Sequence, residues 1–442
     1  MQAGYTQGMS SSRRLLGFVA AVCLSSVAPG QSLTDPALTI NTWVPGGLES
    51  PTGAAIYNSR GDMFVIEKDT GRVKVVRDRR VRGTLLDLPV ANDSERGLLG
   101  LALSPSFATD NLVYLYHTAA SADGGEPLSN KISRYRYTGS SLEFDRKVID
   151  LPGTPGPNHD GGKITFGPDG RLYAVIGDMR RNDATSNTAG GPVALTAAVL
   201  RLQPNGVPPT GNPFHTGSAG SPQNAIYAYG IRNSFGIAFD PVTGDLWNTE
   251  NGPGSFDEIN RVFRGFNSGW DQIMGPVARN GGTAPDLVSL GPAAVYDDPK
   301  LAWVKPVAPT DLEFMPNARL GGGYKNDLFV GTLKEGKLLH FDLTGTRKSL
   351  RLAGALADGV ADNTSDLFAE QEAIVLGTDF GVITDLFSGP GGMYVVSLTN
   401  NAIYRITTAP TSRAAPVPEP SMGLVAAALL AAGLRRSTAR SG

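Results

Sequence analysis

One pattern constrains this chain more than any other. A short apolar run, a turn rich in Pro, Asp and Gly, and a second run carrying an aromatic or large apolar residue recur along its length. The unit reads Thr52–Ile56 then Gly61–Val65, Gly97–Leu103 then Leu112–Leu115, and Gly162–Phe166 then Gly170–Tyr173. It returns as Phe235–Phe239 then Leu246–Trp247, Thr310–Phe314 then Asp327–Val330, and Ile383–Phe387 then Gly392–Val395. Short apolar runs bounded by turn residues read as strands. A strand–turn–strand unit repeating every roughly 45 to 75 residues is the mark of a propeller, in which each unit buries its face against a neighbour. Leu172-Tyr-Ala-Val-Ile176 is apolar on both faces, as a strand between two neighbouring sheets must be. The expected fold is therefore all-β, a six-bladed β-propeller. A β-sandwich or β-helix fits less well, because the spacing is too long and too irregular. The 55 glycines and 31 prolines among 442 residues supply the turns this demands.

The two ends read as addresses. Arg13-Arg14, the apolar run Leu15–Leu24 and the small residues up to Gly30 form a secretory signal over residues 1–30. The only cysteine, Cys23, lies inside it, so thiol chemistry says nothing about compartment. The propeller is expected over 33–406, a Pro/Ala linker over 407–416, and a second address over 417–442. There Val417-Pro-Glu-Pro-Ser421 precedes the apolar Met422–Leu434 and then Arg435-Arg436. This order resembles the PEP-CTERM sorting signal of Gram-negative bacteria. The resemblance implies transient inner-membrane anchoring, processing by an exosortase-type enzyme, and export to the periplasm, envelope or extracellular matrix. A net charge of −2 excludes nucleic acid as an expected partner.

The chemistry concentrates between Ala228 and Trp270. Read alone, this stretch is a strand–turn–strand unit followed by an acidic loop, in which Pro253 has no amide to give a ladder. It also holds four ordered boxes: Gly230-Ile-Arg-Asn-Ser234, Glu250-Asn-Gly-Pro253, Asp257-Glu-Ile-Asn260 and Gly265-Phe-Asn-Ser-Gly-Trp270. Together these resemble the glucose/sorbosone dehydrogenase family, the soluble pyrroloquinoline quinone (PQQ) aldose dehydrogenases.

That resemblance implies an exported oxidoreductase that oxidises an aldose or related sugar with PQQ and calcium; it names no electron acceptor. It implies His159, in Pro157-Asn-His-Asp-Gly-Gly162, as general base, a role an imidazole suits because its pKa lies near working pH. Without the resemblance His159 is a turn histidine. Arg232, Asn233 and Lys334 match the family's quinone-contacting residues, and Trp303 its aromatic beside the cofactor. Glu95 and Asn158 occupy two further cofactor-contacting positions. Gly252 and Pro253 match the carbonyls that hold the cofactor's calcium, and Glu258 is a candidate for a separate structural calcium.

The chain also departs from that pattern. The family's last-blade Arg-x-Arg-Asp-Val reads Val382-Ile-Thr-Asp-Leu386, so both arginines are missing. The family's glutamine before Gly-Leu-Leu-Gly is Glu95, and its aspartate before the histidine is Asn158. Charge-assisted bonds to a carboxylate contribute roughly 1.5–3 kcal/mol each, so these changes weaken the expected grip on a tricarboxylated quinone. Two other readings therefore stand beside the dehydrogenase: a calcium-stabilised extracellular binding propeller, and a lactonase-like calcium hydrolase using Glu95, Asn158 and Asn233.

Overall fold

The last sheet is closed by the first long strand. Ile383–Gly389, Gly392–Ser397 and Ala402–Thr408 run antiparallel, and Leu38–Val44 adds to them as the outer strand, with Leu38 opposite Thr408. The computed structural model describes residues 30–280, 283–362 and 369–410. The secretory and sorting segments and most of the expected linker lie outside them.

The described strands form six sheets. The first runs from Pro51–Ile56 to Arg80–Asp87 and the second from Leu98–Leu103 to Leu142–Leu151. The third starts at Ile164–Phe166, the fourth at Gly236–Phe239, the fifth at Pro309–Phe314 and the sixth at Ile383–Gly389. Each of these opening strands touches the opening strand of the next sheet, and the sixth touches the first, so the ring is closed. The architecture is an all-β propeller arrangement.

Position in the sheet sets composition. Second strands such as Met63–Glu67, Leu172–Ile176, Leu246–Glu250 and Leu328–Thr332 are buried at every residue, because both faces meet a neighbouring sheet. The outer strand Leu142–Leu151 instead exposes most of its middle. Apolar clusters fill the seams between sheets. Phe64, Ile66, Val113 and Leu115 join the first to the second, and Tyr173, Val175, Ile237 and Leu246 the third to the fourth. Each such side chain contributes about 1.5–3 kcal/mol by leaving water.

One charged cluster spans the channel. Lys163, next to the third opening strand, donates to Asp311 Oδ2 of the fifth at 2.6 Å and to Asp385 of the sixth. Asp385 also accepts the Ala54 N–H of the first sheet at 2.8 Å, and Asp311 the Leu386 N–H at 2.9 Å. Burial alone would lower the Lys163 pKa, but the two carboxylates outweigh it and hold the ammonium above its ordinary value.

Candidate functional site

Loops from three successive sheets meet at one end of the ring. Gly177 makes the meeting possible: a Cβ there would lie 2.5 Å from the Arg232 carbonyl oxygen and 2.6 Å from that of His159. His159 follows a Pro-rich loop with φ of 69°, a left-handed value that non-glycine residues seldom adopt. Its ring is buried, and Nδ1 lies 2.5 Å from Asp178 Oδ1. Asp178 Oδ2 accepts the Trp270 indole N–H at 2.6 Å, and Oδ1 also accepts the Arg180 N–H at 2.9 Å. With Nδ1 engaged, Nε2 is the nitrogen left to take a proton.

Glu95 ties this loop to its neighbours. Its carboxylate accepts the His159 N–H at 2.6 Å, the Asn158 amide at 3.2 Å and the Asn233 amide at 3.2 Å. No cation lies within ion-pair distance of it among the described residues. The structure thus brings Glu95, Asn158, His159 and Asn233 together.

Arg232 joins the same cluster. Its guanidinium sits 5.2 Å above the Trp270 ring, and Nη1 donates to the carbonyls of Asn251 and Gly252 at 2.7 and 2.9 Å. Its backbone N–H donates to Glu250 Oε1 at 2.6 Å, and Ser268 donates to Oε2 at 2.8 Å. Burial lowers the Arg232 pKa against the opposing pull of Asp178, Glu250 and Glu95. Burial likewise pushes the Glu250 carboxyl up to about 7 despite its two bonds. Two buried polar atoms here have no protein partner, Arg232 Nε and Asn233 Oδ1. A buried donor and a buried acceptor without protein partners are costly unless a ligand or an ordered water completes them.

The remaining expected residues divide. Lys334 is exposed and donates to the Pro306 carbonyl at 2.9 Å. The Gly252 carbonyl is taken by Arg232, and Pro253 is exposed. Glu258 is buried opposite Glu250 in the ladder, where burial and then the Glu250 charge drive its carboxyl well above the ordinary range. Trp303 is fully buried among Trp247, Leu312 and Leu328, so it is a core residue and not the aromatic of this site. The aromatic that the structure does bring into the cluster is Trp270, in the box Gly265–Trp270.

Two cavities flank the cluster. One of about 270 Å³ lies beside His159, Asp178, Arg180, Arg232 and Trp270. The other, about 200 Å³, lies over the channel between Glu95, Leu99, Phe235, Leu333 and Val382, with Lys163 and Asp385 among its lining. Sequence reasoning missed Asp178 and Arg180; the only local signal was a polar pair just beyond the strand Leu172–Ile176. Near the opposite end of the fifth sheet, Asp327, His340 and Asp342 bring a ring nitrogen and two carboxylate oxygens within 4.8 Å of one another, with no ion among them.

Comparison with known proteins places this geometry. The model of the family Glucose / Sorbosone dehydrogenase matches residues 48–396. Quinoprotein glucose dehydrogenase B of Acinetobacter calcoaceticus is 31% identical over 245 residues, 50% of this chain and 50% of that protein. The chain thus spans half the length of that relative. A solved oxidoreductase of Thermus thermophilus, described as a putative glucose dehydrogenase, is 31% identical with a TM-score of 0.66, covering 84% of this chain and 99% of that one. The PQQ-bound aldose sugar dehydrogenase of Streptomyces coelicolor is 27% identical with a TM-score of 0.61, over 84% and 99%. The extent of the family match and the ordered boxes it contains make the chain a member of the glucose/sorbosone dehydrogenase family.

Proposed function

We propose that the protein is an exported sugar oxidoreductase, each of its six sheets serving as one blade, that oxidises a hydroxyl-bearing carbon of an aldose at a PQQ and calcium site. The observation that carries this reading is the His159–Asp178 pair: Nδ1 engaged at 2.5 Å, in a ring that lines a cavity beside Arg232. The unpartnered Arg232 Nε and Asn233 Oδ1 fit a ligand with both acceptor and donor or metal character. Arg232 and Lys334 would hold the cofactor's carboxylates; the Pro253 carbonyl would hold its calcium, joined by that of Gly252 once the Arg232 guanidinium turns from it to the cofactor. Bound PQQ supplies the quinone that accepts hydride.

The chain's own part is proton transfer and positioning. His159 Nε2 takes the substrate hydroxyl proton as hydride leaves carbon, and Asp178 stabilises the imidazolium so formed. Arg232, stacked on Trp270, fixes one wall. Reconstitution with PQQ and calcium chloride, followed by bound-quinone absorbance and turnover of aldoses, tests the reading. His159→Ala is expected to abolish turnover and keep quinone binding. Failure of the protein to bind PQQ at micromolar concentration removes the dehydrogenase reading.

A second reading has one observation in its favour. Glu95, Asn158 and Asn233 converge, and Asn233 Oδ1 is unpartnered, which suits a calcium-dependent hydrolase. Calcium-dependent lactone hydrolysis without quinone would select it.

A further inference from the structure

We propose that the cavity beside His159 selects an anionic sugar, a hydroxylated ring bearing a carboxylate or a phosphate, and that Arg180 reads that charge. The hydroxyl chemistry rests on the oxidation reading above; the charge argument rests on the cavity alone.

Three guanidinium groups line this cavity, those of Arg180, Arg181 and Arg232, against the carboxylates of Asp178 and Asp271. Most of these charges are already engaged. Asp178 spends both oxygens on His159 and Trp270. Arg181 donates to the buried Asp183 at 2.9 Å. Arg232 is bound to two backbone carbonyls and faces Asp178. Asp271 is exposed at the rim, where it accepts the Gln272 amide at 3.0 Å. Arg180 differs. Its guanidinium donates to the neutral Asn158 amide oxygen at 3.1 Å, and no carboxylate of the described residues pairs with it.

The backbone holds this residue in place. Met179 and Arg180 have φ of 51° and 59°, two successive left-handed residues, neither of them glycine. Such a turn persists only where its surroundings over-determine it. Here the Met179 side chain is fully buried in the seam between the second and third sheets, and Asp178 Oδ1 accepts the Arg180 N–H at 2.9 Å. The carboxylate that orients the base therefore also sets where the Arg180 side chain begins. His159 and Arg180 line the same cavity, so a sugar held there meets both. The planar fork of arginine matches carboxylate and phosphate geometry, and neutral hydroxyls would leave its charge uncompensated.

The test is calorimetric titration of the protein with glucuronate, glucose 6-phosphate, glucose and inorganic phosphate, alongside turnover of each sugar. At least one charged sugar is expected to bind about tenfold or more tighter than glucose, a preference that narrows as salt screens it. The carboxylate and phosphate arms identify which anion the site takes. Arg180→Gln should collapse the ratio toward one, mainly through KM, while Arg180→Lys keeps part of it; an unchanged melting temperature confirms that both variants fold. Equal binding of glucose and both charged sugars overturns the proposal. So does an intact ratio in Arg180→Gln, inorganic phosphate binding as tightly as either sugar, or no binding of any sugar. Charged-sugar binding without turnover would instead remove the oxidation reading and leave this one standing; equal turnover of charged and neutral sugars would do the reverse.

Discussion

Asp178→Asn is the substitution that most directly probes the candidate base, because it keeps shape and removes charge. The wild-type carboxylate is an acceptor at both oxygens. Oδ1 meets His159 Nδ1 and the Arg180 N–H, at 2.5 and 2.9 Å, and Oδ2 meets the Trp270 N–H at 2.6 Å. An indole N–H can only donate, so it demands an acceptor at its side. If the asparagine oxygen turns to Trp270, its amide faces His159 Nδ1, forcing the ring proton onto Nε2 where it blocks proton abstraction, and also meets the Arg180 N–H donor to donor. If the oxygen turns to His159, two donors collide at Trp270, which costs about 1–3 kcal/mol of stability. Loss of the base is worth roughly a hundredfold to ten-thousandfold in kcat. At about 1.4 kcal/mol per decade that is a barrier higher by roughly 3–5 kcal/mol. The assay is kcat of the PQQ- and calcium-loaded protein together with the 15N shifts of the His159 ring. A kcat within about tenfold of wild type with an unchanged tautomer and melting temperature would refute the assignment.

Three further outcomes follow from the same contacts. Lys163→Met strands Asp311 and Asp385 and is expected to cost about 3–5 kcal/mol; with about 370 residues at roughly 2.1 cal/mol/K each, the melting temperature falls by about 4–6 °C, and a fall under about 1 °C would sink the clamp. Burial pushes the Glu313 carboxyl up to about 7 against its bonds to Ser388, so its stabilising share is full below its unfolded pKa and is lost as pH rises through 7; Glu313→Gln should shrink the fall in stability between acid and mildly alkaline urea unfolding by about 3 kcal/mol, the buried Glu250 and Glu258 carboxyls keeping the rest, and an unchanged fall would refute it. Glu95→Gln takes a carboxylate away from the mouth and should tighten PQQ binding by about tenfold in an absorbance titration, with unchanged affinity as the refuting result.

What could be read in advance depended on how local the cause is. The strands of the sheets were legible because period, turn residues and two-faced apolarity are local. Leu172–Ile176 is buried at all five positions for the reason its composition suggests. The closure was not legible: Leu38–Val44 belongs to the last sheet through pairing with Ala402–Thr408, and nothing near either strand announces a partner so distant. His159, Arg232, Asn233 and Glu95 could be nominated from sequence because they stand at strand mouths in recognisable boxes, and the structure brings them to one end of the ring. Trp303 was misplaced because a motif match does not say which face of a strand a side chain takes; its ladder partner is Asp257, and its ring is sealed in the core. Asp178 and Arg180 were missed for another reason. Their positions depend on a left-handed turn at Met179 and Arg180, and neither residue type favours it; burial of Met179 and the Asp178 carboxylate impose it. One turn thus carries both the partner of the candidate base and a guanidinium that no carboxylate of the described residues pairs with. Repacking Met179 should therefore disturb proton transfer and charge selection together, whereas a change in the Lys163 cluster should act chiefly on stability.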